Sequence, residues 1–328
     1  MTTTGHSNDE IDAGVIGVGS MGRHHARVYS ELHEVDLVGV NDVNDHQAAT
    51  IAQEYGTRPM ARDDLLDAVD VVSVAVPTEY HYRTVRECLE RGVHVLVEKP
   101  FVDDPSRGRE LARLADQAGL TLQVGHVERF NPATRVLADI VPDLDIVAVD
   151  IERLGPPLDR ENDDSVVMDL MVHDIDILLS LVDSEVESMS AAAGDERHVN
   201  VQFRFTDDSV AGLTASRLTQ QKVRRLSVTA MSCRVNVDFI SQSVEIHRRS
   251  LPEYVESDGD IRYRHESVVE RPMVENGEPL KHELSAFVDA VREGTEPVVT
   301  AEDALAVLEW VDEIEDVALE SPPEVTPR

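Results

Sequence analysis

One short segment constrains this chain's architecture more than any other. Gly17-Val18-Gly19-Ser20-Met21-Gly22 separates an apolar run, Ala13–Val18, from an amphipathic stretch, Met21–Leu32. At a strand-to-helix junction the first glycine permits a tight turn and the second lets a bound group approach the backbone. The third lets the helix pack closely on the strand. The helix start also presents unpaired N–H groups and the positive end of its dipole to a phosphate. A glycine-rich turn is weak evidence alone. Asp42 strengthens it, standing 20 residues beyond Gly22 at the end of the next apolar run, where a carboxylate accepts from an adenosine ribose. That charge repels a 2′-phosphate, and Val43-Asn44-Asp45 offers no arginine to receive one, so NAD is expected over NADP.

The segments that follow repeat the alternation. Apolar runs at Val35–Asn41, Asp70–Val76, His94–Glu98 and Thr121–Val124 are interleaved with helical patterns at Asp45–Tyr55, Tyr80–Arg91 and Pro105–Ala118. Continuous Val/Ile runs between amphipathic helices predict a doubly wound parallel α/β sheet. After Gly125 the pattern changes. Helices are expected at Pro132–Ile140 and Val166–Val182, and then alternating runs at Val186–Ala193, Val199–Phe205, Val210–Ser216, Arg225–Met231, Arg234–Phe239 and Val244–His247. These suit a mostly antiparallel sheet with one covered face, and Asp207-Asp208-Ser209 reads as a hairpin turn. Residues 249–275 suggest edge strands and a loop. Two helices, Leu280–Arg292 and Ala301–Leu319, lead to a tail expected to be disordered. The expected division is a Rossmann domain over 1–124 and an α+β substrate and oligomerisation domain over 125–328.

Sixty-four acidic residues against 30 basic ones leave a net charge of −34 in 328 residues. Such repulsion opposes compaction in dilute buffer, but at molar salt the Debye length falls to about 3 Å. Adaptation to concentrated salt is the expectation, and binding of nucleic acid is not expected, since its phosphates would be repelled. No apolar run approaches the roughly 18 residues of a membrane helix. The opening M-T-T-T-G-H-S-N-D-E has no secretory pattern, so a cytoplasmic protein without membrane partners is expected. Cys88 and Cys233 read as small buried hydrophobes.

Two clusters carry candidate chemistry. Glu98-Lys99-Pro100 closes the fourth apolar run, at the carboxyl edge where open α/β sheets bind ligands. Lysine occurs only at Lys99, Lys222 and Lys281, so a chain that otherwise uses arginine keeps one at this edge. Arginine does not replace lysine where a compact cation of tunable pKa is required. In Met168-Asp169-Leu170-Met171-Val172-His173-Asp174-Ile175-Asp176, the i, i+4 spacing stacks Asp169 and His173 on one helical face. Such a pair can orient an imidazole as a general base for an alcohol; a solvated acidic face with a capping histidine is the alternative. The spacing matches no metal motif, and no metal is expected.

These segments, with Val76-Pro77-Thr78, Glu283 through Phe287, Gly294-Thr295-Glu296-Pro297 and Ala301–Ala306, together resemble the signature set of the glucose–fructose oxidoreductase/inositol dehydrogenase/MocA (Gfo/Idh/MocA) family. The resemblance implies a Rossmann domain followed by an α+β domain whose open-faced sheet forms a homodimer or homotetramer interface. It implies Lys99, Asp169 and His173 as the catalytic set, with Val76, Pro77, Thr78, His81 and Glu98 lining the nicotinamide end of NAD. Val124-Gly125-His126-Val127-Glu128-Arg129-Phe130-Asn131-Pro132 and Glu152-Arg153-Leu154-Gly155-Pro156 resemble a subgroup of archaeal UDP-N-acetylglucosamine 3-dehydrogenases. Arg129 and Arg153 would then face a diphosphate and His126 a sugar hydroxyl; surface ion pairing is the other reading of both arginines. Pro157–Asp164 departs from the subgroup in being acidic and longer.

The expected activity is oxidation of a secondary sugar hydroxyl, with His173 or Lys99 as proton acceptor. A dehydrogenase of inositol or a free aldose, and a non-catalytic NAD(H) sensor, are the alternatives.

Overall fold

Residues 10–157, 165–249, 253–257, 260–264 and 267–319 are described by the structure, a computed structural model. In the first part of the chain the apolar runs become β1 (Ile11–Ile16), β2 (Val35–Asn41), β3 (Val71–Val74), β4 (His94–Glu98) and β5 (Leu122–Gly125). Between them lie α1 (Gly22–Glu31), α2 (Asp45–Tyr55), a short α3 (Arg62–Leu66), α4 (His81–Glu90) and α5 (Pro105–Ala118). All strand pairs are parallel, in the order β2-β1-β3-β4-β5. Val15, Ile16, Val72, Val74, Leu96 and Val97 are fully buried, which is why these strands read as continuous apolar runs. Local signals agree. Asn44 caps α2 by accepting from the His46 and Gln47 N–H groups, and α5 starts with Pro105 after the cap Asp104 and stops at left-handed Gly119.

The order turns outward on both sides of β1, so a switch point lies between β1 and β3. The register pairs Ile16 with both Asn41 and Val74, Val74 with Val97, and Glu98 with Gly125. The carboxyl ends of all five strands therefore stop at one edge.

The later part begins with α6 (Pro132–Ile140), β6 (Ile146–Leu154) and, after a π-helical turn at Val167–Met171, α7 (Val172–Leu181). An eight-stranded sheet follows, ordered β15-β12-β11-β10-β6-β9-β8-β7. Its strands are β6 with β7 (Val186–Asp195), β8 (His198–Phe205), β9 (Val210–Ser216), β10 (Val223–Ala230), β11 (Cys233–Asp238), β12 (Ser243–Arg249) and β15 (Ser267–Glu270). Pairing is antiparallel except between β6 and β9. β13 (Glu253–Ser257) and β14 (Asp260–Arg264) form a separate pair. Asp208, at φ 71°, turns the chain between β8 and β9 as its neighbours predict. One face is apolar, with Val199, Val201, Phe203 and Phe205 alternating inward along β8.

β6 is a strand that the pattern does not announce. Val147 is exposed on it while Arg153 is buried, so polarity and burial disagree at two of its positions. The π-helical turn is the other departure: Asp169 sits in it, ahead of the α-helix that carries His173, so the two do not share one regular α-helix.

The last helices are α8 (Pro279–Glu293) and α9 (Ala301–Leu319). The chain forms two compact units, one running through Phe130 and including Glu278–Leu308, the other comprising Asn131–Gly277 and the chain from Glu309. These units do not coincide with a division at 124/125. Leu280, Leu284, Phe287 and Val288 of α8 enter one core with Ala13, Val15, Ala26 and Tyr29. A helical stripe shows that a face is covered, not which sheet covers it. Pro157 is exposed, while 158–164 and the tail from 320 lie outside the described residues. Cys88 and Cys233 are free and buried, and burial pushes the Cys88 thiol up to about 12. No described helix is long and apolar enough to cross a membrane.

Phe287 is fully buried, so Phe287→Ala is expected to destabilise the first unit by about 3–5 kcal/mol. Urea unfolding followed by circular dichroism checks this.

Candidate active site

In the first unit every candidate follows the carboxyl end of a strand. Gly17–Gly22 follows β1 and Asp42 follows β2. Val76, Pro77 and Thr78 follow β3, Lys99 follows β4 and His126 follows β5. Because Glu98 is registered with Gly125, Lys99 and His126 leave adjacent strand ends.

The three glycines of the turn meet different surroundings. Gly17 has φ +84°, and a Cβ there would stand 2.7 Å from the Ala75 carbonyl oxygen, so the turn lies directly on the end of β3. A Cβ on Gly22 would overlap the Gly17 carbonyl oxygen. At Gly19 a Cβ would meet nothing within 4 Å. The fold itself needs no glycine at 19, which leaves close approach of a bound group as its physical use. Ser20 and Met21 are exposed beside it.

Asp42 holds this loop from below. Its Oδ2 accepts from the Val18 N–H at 2.8 Å, its Oδ1 from the Asn44 N–H at 2.8 Å, and Gln47 Nε2 donates to the Val18 carbonyl at 3.1 Å. Each carboxylate oxygen keeps a second lone pair for a ribose hydroxyl. The residues present thus fit a dinucleotide: open backbone at Gly19, a helix start at Gly22 and an acceptor at Asp42.

His81 is buried at the start of α4. Its Nε2 lies 2.8 Å from the Val76 carbonyl and its Nδ1 2.9 Å from that of Pro100, so the ring braces the turn after β3 against the loop after Lys99. The Lys99-Pro100 peptide is cis. His126 is buried just past β5, and Arg129 is half-buried on the turn Val127–Phe130.

A network that the motif reading does not include lies beneath Lys99. His25 contacts Ser73 Oγ at 3.0 Å through Nδ1 and Glu98 Oε1 at 2.8 Å through Nε2, and Tyr29 Oη is 2.9 Å from Ser73 Oγ. Burial opposes the charge on Glu98, but the hydrogen bond and charge of His25, then the Lys99 N–H and ammonium, outweigh it. The carboxyl lies below its ordinary value. The signal for His25 is present in the sequence: Gly22, His25, Ala26 and Tyr29 are the i, i+3, i+4 and i+7 positions of the buried face of α1.

In the second unit the Ser165 hydroxyl accepts from the Val167 and Met168 N–H groups at 3.1 Å and so starts the π-helical turn. Asp169 Oδ2 accepts from Arg217 Nη2, just beyond β9. Nothing in the sequence around Arg217 signals this pairing. Arg153 is buried in β6 with Nε and Nη2 each 2.8 Å from Asp174 Oδ1, an ion pair that ties β6 to α7 beside His173. Arg153 is therefore not a surface ion-pair partner, the other reading of it.

Residues 11–126 match the model of an oxidoreductase family with an NAD-binding Rossmann fold, and residues 149–235 match the model of the GFO/IDH/MocA C-terminal domain. The UDP-N-acetylglucosamine 3-dehydrogenase of Acidithiobacillus ferrooxidans is 34% identical over 245 residues, 72% of this chain and 76% of that one. A solved structure of the enzyme of that name superimposes with a TM-score of 0.85, covering 94% of this chain and 97% of its own at 28% identity. The inositol 2-dehydrogenase of Rhizobium meliloti is 24% identical over 316 residues, 91% of this chain and 94% of that one.

The glycines can be told apart by substitution. Gly19→Ala is expected to keep the fold's stability and weaken NAD binding at least about tenfold, the equivalent of roughly 1.4 kcal/mol. Gly22→Ala is expected to destabilise the fold itself by roughly 1–3 kcal/mol through overpacking. Fluorescence titration with NADH and thermal unfolding separate the two outcomes.

Proposed function

This chain belongs to the GFO/IDH/MocA oxidoreductase family, and from that membership we propose that it oxidises a secondary hydroxyl of a nucleotide sugar with NAD, the first candidate being C3 of UDP-N-acetylglucosamine. The likeness to the Acidithiobacillus enzyme, which extends across both units, carries the choice of substrate. The shared strand edge supports the choice of chemistry.

In this reading Gly17, Gly19, Ser20, Met21 and Gly22 hold the pyrophosphate of NAD at the start of α1, and Asp42 holds a ribose. Val76, Pro77, Thr78 and Glu98 line the nicotinamide end, with His81 bracing two of those segments. When bound, NAD supplies the hydride acceptor. The chain's own residues handle the proton. His173 accepts the hydroxyl proton, with Asp169 orienting it and Arg217 fixing the Asp169 carboxylate. The Lys99 ammonium donates to the same oxygen and stabilises the charge that grows as the proton leaves. His126 and Arg129 serve the sugar and its diphosphate. Arg153, engaged with Asp174, positions α7.

We also propose adaptation to concentrated salt. The Asp12 carboxyl is raised by burial and then by Asp70, Asp36 and Glu10; Asp312 is raised by burial and then by Asp316 and Glu309. A carboxyl raised in the fold makes the native state less stable as pH climbs past its unfolded value. Salt relieves the repulsive part and leaves the desolvation part. A second copy is proposed to cover the open sheet face, where a hollow of about 590 Å³ is lined by Asp150, Glu152, Gln202, Arg225 and Arg234 among others.

Two experiments test these proposals. NADH formation should be strong with UDP-N-acetylglucosamine and weak with free sugars and inositol. Lys99→Ala and His173→Ala should each lower kcat by about 100- to 10,000-fold; full activity in His173→Ala removes it from the set. Circular dichroism and light scattering in dilute and molar salt should show a folded oligomer in the latter and loss of stability in the former. Equal stability in both ends the salt proposal, and a monomer in molar salt ends that of a covering copy.

A further inference from the structure

Four side chains of the first unit form a single file that ends beside Lys99. Tyr29 and His25 come from α1, Ser73 from β3 and Glu98 from the end of β4. The first three are fully buried, and the Glu98 side chain is 13% exposed. Donor accounting fixes the step that reaches Glu98. A carboxylate only accepts, so His25 Nε2 carries the hydrogen that meets Glu98 Oε1, while His25 Nδ1 meets the Ser73 hydroxyl and that hydroxyl meets Tyr29 Oη.

The far oxygen of Glu98 is also engaged, since Oε2 accepts from the Lys99 N–H at 3.3 Å. Gly125, registered opposite, leaves the space this requires; a Cβ there would stand 3.3 Å from Oε2 and 3.2 Å from the Glu98 Cα. We infer that His25 is a positioning residue: through this relay it fixes the Glu98 carboxylate against the backbone of Lys99, and so sets the place from which the lysine ammonium meets substrate. The inference rests on the role proposed for Lys99.

The charge arrangement agrees. Burial alone would raise the Glu98 carboxyl, and His25 is the first of the groups that bring it below its ordinary value. The groups that bear on it are His25 from α1 and the adjoining Lys99. At the far end stand Tyr29, whose phenol burial pushes up, and Glu283 of α8, which adds to that rise. An apolar side chain at position 25 would fill the helix face without the desolvation cost of a buried imidazole. The histidine also rides on the helix whose first residue is Gly22, so the relay joins the glycine turn to the lysine strand in one rigid element.

The test compares His25→Leu with His25→Gln, whose amide N–H can replace Nε2. His25→Leu is expected to lower kcat about 10- to 100-fold, the rate equivalent of one hydrogen bond to a charged group. KM for NAD should hold within about threefold, a factor worth less than one hydrogen bond. The acidic limb of the pH–rate profile should move to higher pH, because a buried carboxyl deprived of its donor takes up a proton more readily. His25→Gln should restore most of the rate and the limb. Ser73→Ala should shift the limb the same way by less, and it serves if His25→Leu does not fold.

A second readout needs no turnover. A depressed Glu98 contributes stability above the ordinary value of 4.5, lost as pH falls through its folded value. Without His25 burial reverses the sign, so the deficit of His25→Leu in apoprotein unfolding should widen as pH rises from about 4.5. The widening should vanish in a Glu98→Gln background. Equal losses in the leucine and glutamine variants with an unmoved limb, or a deficit flat in pH, overturn the inference. Were the wild type to oxidise none of the sugars, the apoprotein arm would still decide whether His25 holds Glu98.

Discussion

The parallel register of the five-stranded sheet is the constraint on which the first unit's chemistry depends. Pairing Ile16 with Asn41 and Val74, and Glu98 with Gly125, stops every strand at one edge. The next residue of each strand then becomes a neighbour of the others. A slip of one residue on a strand buried on both faces would still bury apolar side chains, but it would turn each strand's last residue to the opposite side. Gly17 contributes to this alignment directly. Its positive φ and its closeness to the Ala75 carbonyl let the turn after β1 lie against the end of β3, at the switch point.

Within each unit the chain buries polar groups in partnered sets. Tyr29, Ser73, His25 and Glu98 are one set; Arg153 with Asp174, and Arg217 with Asp169, are two more in the second unit. A buried polar group that loses its partner costs more than the pair contributes. Such sets therefore oppose alternative side-chain arrangements more strongly than apolar packing does. The proposed proton-handling residues Lys99, Asp169 and His173 each adjoin or belong to one of these sets.

The same sets mark where sequence reasoning stops. Strands buried on both faces announce themselves as Val/Ile runs, and β2, β4, α2, α5, α6 and α9 fall on their expected limits. β6 is hidden because Arg153 is buried on it, a placement supported by an ion pair with Asp174, 21 residues later. The i, i+4 reading of Asp169 and His173 assumes an α-helix, and the π-helical turn at Val167–Met171 is set by the Ser165 cap and by partners distant in sequence. α8 is legible as a helix but not as a member of the first core, since periodicity states that a face is covered and omits by what. His25 was legible from its place on the apolar face of α1, whereas Arg217 was not.

Charge divides along the same line as burial. Solvent and salt screen acids such as those around Asp12 and Asp312, and in molar salt their repulsion fades over about 3 Å. The pair between Arg153 and Asp174, 2.8 Å apart and out of contact with water, has no ions between its members to screen it. A chain of this net charge can therefore change its surface electrostatics with the medium while its internal sets stay fixed. Residue choice follows from this. Arginine, with its planar fork, holds the buried carboxylates, where geometry matters. Of the lysines, Lys281 sits exposed near Glu31, while Lys99 leaves the strand edge beside a carboxylate held from both sides. A compact ammonium there follows the backbone that Glu98 holds, where a guanidinium would impose a planar geometry of its own.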